Sequence, residues 1–198
     1  MRPSRVRDRA NAREAQAEPA GIGAVAMVRH LPTDMPPGHC YGRLDLSPGR
    51  MAEPAPVLAA LRSFPAARLV SSPARRCRAL AAAIGVARGL PVVLDARLLE
   101  LDFGAWEGLA WEAVPRPALD EWAADPWGFA PPGGESGAGL VARVRAFHAE
   151  LQAGTVVVSH GGPLKVLAAL LEGRAVDLLA PAQPMGTVRV AGQGGAPR

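Results

Sequence analysis

A chain of 198 residues is about one α/β domain, long enough to bury roughly 70% of the surface that its unfolded form exposes. Its 22 basic and 18 acidic residues leave a formal charge of +4 and a pI near 10.0. That charge invites a nucleic-acid reading, but only one basic residue is a lysine (Lys165), and the arginines are scattered over the first residues, 62–78 and 143–145. The Ala, Gly, Pro and Arg bias is what a GC-rich genome produces, so no nucleic-acid partner is expected. No membrane partner is expected either, because no apolar stretch reaches the ~20 residues that span a bilayer. Cys40 and Cys77 supply neither a disulfide framework nor a metal-ligand spacing, which makes a reducing cytoplasm the default location.

Residues 1–18 are arginine-rich, and Pro19 to Val28 are apolar and contain Ala24-Val25-Ala26, the form of a signal-peptidase site. Cleavage there would remove most of the first strand, so 1–21 read as a disordered extension, 22–190 as one domain and 191–198 as a frayed tail. The first strand covers Ala24 to Val28 and delivers Arg29-His30. A Pro- and Gly-rich loop, Leu31 to Arg50, carries the polar candidates Thr33, Asp34, His39, Tyr41, Arg43 and Asp45. A helix is predicted over 51–62 and a strand over Arg68 to Ser71. The next helix follows Ser72-Pro73, with Cys77, Leu80, Ala81 and Ile84 on one face. Pro91 to Leu94 is a short strand. Residues 102–134 read as irregular and hold all four tryptophans, Trp106, Trp111, Trp122 and Trp127. Helix 136–151 buries Leu140, Val144, Phe147 and Leu151. Strand 155–159 ends in His160-Gly161-Gly162, helix 163–172 starts at Pro163, and Thr187 to Val190 forms a last strand. Alternating strands and helices imply a three-layer α/β/α fold with a mostly parallel sheet. Both histidines then lie at the sheet's C-terminal edge, where ligands bind in such folds. An arginine beside the first points to an anionic ligand.

Five segments in order carry a resemblance to the histidine phosphatase superfamily, the phosphoglycerate-mutase-like fold. They are Val28-Arg29-His30, Ser71-Ser72-Pro73-Ala74-Arg75-Arg76, Leu99-Glu100-Leu101-Asp102-Phe103-Gly104-Ala105-Trp106-Glu107-Gly108, Pro132-Gly133-Gly134-Glu135-Ser136 and Val158-Ser159-His160-Gly161-Gly162. The third and fourth look most like the α-ribazole phosphatase branch of the cobalamin pathway. The resemblance implies that His30 is the nucleophile that becomes phosphohistidine. It makes Arg29 and Arg75 the phosphoryl clamps, His160 the second histidine of the phosphate pocket and Glu100 the proton donor. It also brings the Gly161 amide to the phosphate.

Those residue types suit the chemistry. A phosphoryl group in transfer spreads negative charge over three equatorial oxygens, which fixed cationic donors stabilise. Arginine's planar fork bonds two oxygens at once. The nucleophile must attack through a neutral nitrogen, a form that neighbouring arginines favour. A backbone carbonyl should hold its other nitrogen. The arginines and His160 would supply the positive charge, so neither metal nor cofactor is expected.

The first loop departs from the family pattern. Leu31 stands where a glycine is usual, and Pro32-Thr33-Asp34 and a proline-rich turn replace Glu-Thr and a later phosphate-binding Asn. Arg43, Thr33 or His39 could take that Asn's place. Glu100 stands out from Glu107 and Glu112 by its motif position only; Glu107 reads as a surface carboxylate. Ser136 is either a ligand contact or a helix N-cap, and the tryptophans are either packing or the wall of a lid.

The expected activity is metal-independent hydrolysis of a small phosphorylated metabolite, with α-ribazole 5′-phosphate as the specific candidate. The protein would act as a monomer or homodimer. The alternatives are mutase-type phosphoryl transfer, against which the 59 residues between Glu100 and His160 are few, and a catalytically silent phospho-ligand binding module.

Overall fold

The computed structural model describes residues 23–192. The predicted extension 1–21 lies outside them. So does most of the predicted tail, although Ala191 belongs to a strand. Five strands form one sheet: β1 (Val25–Arg29), β2 (Arg68–Ser71), β3 (Val92–Leu94), β4 (Thr155–Ser159) and β5 (Val188–Ala191). Their order is β3-β2-β4-β1-β5, with β5 alone antiparallel. The long helices are α2 (Arg75–Arg88), α4 (Gly137–Glu150) and α5 (Gly161–Leu171), and the shorter ones are α1 (Ala55–Ala60) and α3 (Arg116–Ala124).

β1 and β4 carry the unbroken apolar runs 25–28 and 156–158 because both faces of the sheet are covered. The two-residue alternation of a strand divides them. Val25, Met27 and Val157 pack with Leu140 and Val144 of α4 and Leu164 and Leu167 of α5. Ala26, Val28, Val156 and Val158 face Leu80 and Ile84 of α2 and Val57 and Leu61 on the other side. These layers are the expected α/β/α arrangement.

Two local expectations differ. The helix predicted over 51–62 shrinks to α1, whose first turn holds Pro54 and Pro56; fixed proline φ suits a helix start but not its interior. The segment read as irregular contains α3 and short 3₁₀ turns. There Trp106, Trp111 and Trp122 pack edge-to-face and stacked around Phe103, closing a third, aromatic core with Cys40 and Val114. α3 has the composition for a helix, with Ala, Leu and Glu after a proline at its start, and only its Ala118, Leu119 and Trp122 lean on the aromatic core.

Candidate active site

β1 and β4 pair in parallel with Arg29 opposite Ser159. The next residue on each strand is a histidine, so the register alone sets His30 and His160 side by side. Their ring centroids are 5.2 Å apart, inclined at 62°, and both side chains are buried. His30 Nδ1 lies 2.7 Å from the Leu31 carbonyl. A carbonyl only accepts, so Nδ1 holds the proton and Nε2 keeps its lone pair. Burial, joined by the charges of Arg76 and Arg29, pushes the imidazole down to about 3 despite the Leu31 carbonyl, which acts the other way. The ring is neutral at neutral pH.

His160 Nε2 is 2.8 Å from Ser72 Oγ, and Cys77 Sγ packs 3.5 Å from the same nitrogen. Burial first, then Arg76, His30 and Arg29, hold His160 well below the ordinary histidine range. The sequence reading counted His160 as a source of positive charge. Here it is an uncharged ring, and the arginines carry the charge.

The second arginine is not the expected one. Arg75 is solvent-exposed at the first position of α2, where its backbone N–H donates to Asp45 Oδ1 at 2.7 Å. Its neighbour Arg76 is 1% exposed and acts electrostatically on both histidines. Helical phase explains the correction. One turn before Leu80 on the buried face is position 76, whereas 75 lies off that face. Arg76 donates to the carbonyls of Gly42 and Leu44, each at 2.7 Å, and lies over the Tyr41 ring. Arg29 donates to the Gln183 carbonyl at 2.7 Å. The Nε atoms of Arg29 and Arg76 are buried with no hydrogen-bond partner among the described residues. Buried donors nearly always have one, so these two suit an anion held between the arginines.

The Glu100 carboxylate meets the N-terminus of α5. It accepts from the Gly162 amide at 3.1 and 3.2 Å and from the Leu101 amide at 3.0 Å. Gly162 permits this closeness, since a Cβ there would collide with Glu100 Oε1. A cavity of about 200 Å³ opens beside Glu100 and Arg29; Gly161, Gly162 and Lys165 line it, with Phe103 and Trp122 on its apolar side. The aromatic segment is therefore both packing and cavity wall. Glu107 is structural: it accepts from the amides of Arg43, Leu44 and Phe103.

The remaining expectations divide. Gly161 is at the cavity. Thr33 is not; it accepts from the Met35 amide and lines a separate recess with Asp34 and Gly49. Ser136 caps α4, accepting from the Gly139 amide at 3.2 Å. His39 forms a bridge with Ala110 and is half-exposed. Arg43 reaches the site from behind, donating to the Glu100 carbonyl at 2.8 Å. Sequence reasoning missed Ser72, Lys165 and Arg143. Ser72 sits inside a quoted segment, and Lys165 follows Gly161 by one helical turn; Arg143 carried no signal.

The histidine phosphatase superfamily (branch 1) matches residues 25–191. A bifunctional protein of Mycobacterium tuberculosis is 42% identical over 108 residues, 51% of this chain, but the match spans only 30% of that longer protein. Glucosyl-3-phosphoglycerate phosphatase of the same organism is 33% identical over 165 residues, covering 74% of each chain. The native structure of that mycobacterial enzyme superposes with a TM-score of 0.73 at 27% identity, over 85% of this chain and 89% of the other. A candidate alpha-ribazole-5′-P phosphatase of Escherichia coli str. K-12 shares the fold at a TM-score of 0.76 and 24% identity, over 87% and 91% of the two chains. With the match running from the first described strand to the last, the chain belongs to the histidine phosphatase superfamily.

Proposed function

We propose that this protein hydrolyses phosphate monoesters of small metabolites through a phosphohistidine at His30. The observation that carries the proposal is the pairing of a neutral His30, proton held on Nδ1 by Leu31, with two buried guanidinium Nε donors at Arg29 and Arg76. His30 Nε2 attacks phosphorus, and the P–O bond to the alcohol breaks. Arg29 and Arg76 hold the equatorial oxygens, where fixed charge lowers the barrier. Glu100 gives a proton to the leaving oxygen, then takes one from the water that cleaves the P–N bond. General acid–base work of this kind contributes about 10²–10⁴-fold. Splitting one displacement into two makes each easier.

Two substrate readings have specific support. The aromatic wall of Phe103 and Trp122 beside Glu100 suits a flat leaving group such as that of α-ribazole 5′-phosphate. The 33% identical relative supports a glycosylated phosphoglycerate. The first reading is preferred because most of the cavity lining is apolar.

The test is phosphate release from 4-nitrophenyl phosphate in EDTA by the wild type and His30→Ala, with acid-labile phosphoprotein trapped from the wild type. Activity that resists EDTA, disappears in the variant and passes through a trapped intermediate supports the mechanism. Equal activity of the two proteins sinks it. Relative kcat/KM for the two natural candidates then decides the substrate.

A further inference from the structure

Glu100 lies in an extended stretch between the 3₁₀ turn Ala96–Leu98 and the turn Gly104–Trp106. It belongs to no strand, so no sheet register fixes its height above the histidines. Arg143, in the middle of α4, fixes it instead. Its Nη1 donates to the carbonyls of Arg97 and Leu99 at 2.7 and 2.5 Å, and its Nη2 to the carbonyl of Glu100 at 3.0 Å. Nε and Nη2 also form a two-point pair with the Glu135 carboxylate at 2.8 and 2.9 Å. All five N–H groups of this guanidinium are thus engaged, and none remains for a phosphate. Arg43 Nε approaches the same Glu100 carbonyl at 2.8 Å, and its Nη2 lies 3.5 Å from Glu135. Glu135 is itself anchored, its amide donating to the Asp102 carbonyl at 2.8 Å. Two arginines and a carboxylate therefore meet at the backbone of one catalytic carboxylate. The Arg143 and Glu135 side chains are only 16% and 19% exposed, so solvent screens the pair little.

We propose that Arg143, locked by Glu135 and joined by Arg43, is a positioning residue that sets Glu100 against the leaving-group oxygen. It governs how well the enzyme cleaves esters of poor leaving groups. This rests on the reading of Glu100 as proton donor. A misplacement of about 1 Å can cost on the order of 10²-fold in rate, and here the cost falls mainly on the proton-transfer half of the first step, since Arg143 reaches His160 only through its charge. The phosphate clamps, on β1 and α2, do not touch Arg143.

The experiment compares kcat/KM, which reports attack by His30, for 2,4-dinitrophenyl phosphate and for glycerol 2-phosphate. The dinitrophenolate leaves without a proton, and the alkoxide needs one. Arg143→Ala and Glu135→Gln are expected to lose on the order of 10²-fold on the alkyl ester and less than about 5-fold on the aryl ester, following Glu100→Gln in kind. Arg143→Lys keeps the charge but donates from one nitrogen, so it should fold and show the same selectivity at intermediate size. Equal losses on both esters in Arg143→Lys, while Glu100→Gln remains selective, would overturn the positioning role and leave Glu100 as donor. A Glu100→Gln enzyme with no selectivity would overturn both.

Discussion

The two halves of the proposed active site are built in different ways. The His30–His160 half is a product of sheet register: β1 pairs β4, and the residue after each strand falls at the same edge. The Glu100 half is a product of side chains: a loop is held by Arg143, Arg43 and Glu135, and its carboxylate rests on the first amides of α5. The difference teaches where the site tolerates change. Register is set by the nine buried residues of β1 and β4 together and resists any one substitution. The Glu100 half depends on single donors.

The largest effect should come from the proposed nucleophile. His30→Ala is expected to lower kcat on the order of 10⁴-fold or more while the melting transition stays cooperative. An active variant would break the comparison at its strongest point. Next is Arg76→Ala, expected to cost about 10²–10³-fold, the usual loss for one transition-state donor, whereas Arg75→Ala should stay within about 2-fold. Equal losses would return Arg75 to the site. Gly162→Ala tests the second half. The added methyl displaces the Glu100 carboxylate, so kcat/KM for an alkyl phosphate should drop by about 10²-fold with the aryl phosphate nearly spared.

A smaller effect concerns stability and pH. The folded state holds His30 at about 3, while the unfolded chain takes up its proton near 6.5. Above pH 6.5 both states are neutral there, and the group contributes no pH dependence. As the pH falls from 6.5 toward 3, the unfolded state binds a proton that the folded state does not. Stability then declines, by up to about 1.4 kcal/mol per pH unit for one such group. His160 acts in the same direction. Urea midpoints at pH 7 and pH 5 should therefore converge in His30→Gln relative to wild type; an unchanged gap would mean that His30 is not held neutral. Ser72→Ala, which removes the hydroxyl on His160 Nε2, is expected to cost about 1 kcal/mol and a few-fold in rate.

The same division explains what could be read from the sequence. Two apolar runs, each ending in a histidine, carry the sheet pairing with them, so His30, His160 and the layer order were legible. The place of Arg76 is also present in the sequence, because the face of Cys77, Leu80, Ala81 and Ile84 leads back to position 76 and not to Arg75. Arg143 could not have been found. Three of its five contacts are carbonyls 43 to 46 residues away in the chain, and a carbonyl has no residue identity; the Glu135 pair, eight residues away, does not by itself point to Glu100. Ser136 and Thr33 were ambiguous because capping and turn roles use the same hydroxyls as ligand binding.

The place of β1 in the strand order has a consequence for biosynthesis. The strand that delivers His30 is among the first parts of the domain to leave the ribosome, yet its neighbours are β4 and β5, the last two strands to appear. At roughly 5–20 residues per second of translation, Val25–Arg29 waits on the order of ten seconds without a pairing partner. During that interval the apolar run Val25–Val28 has no strand beside it to cover its edges.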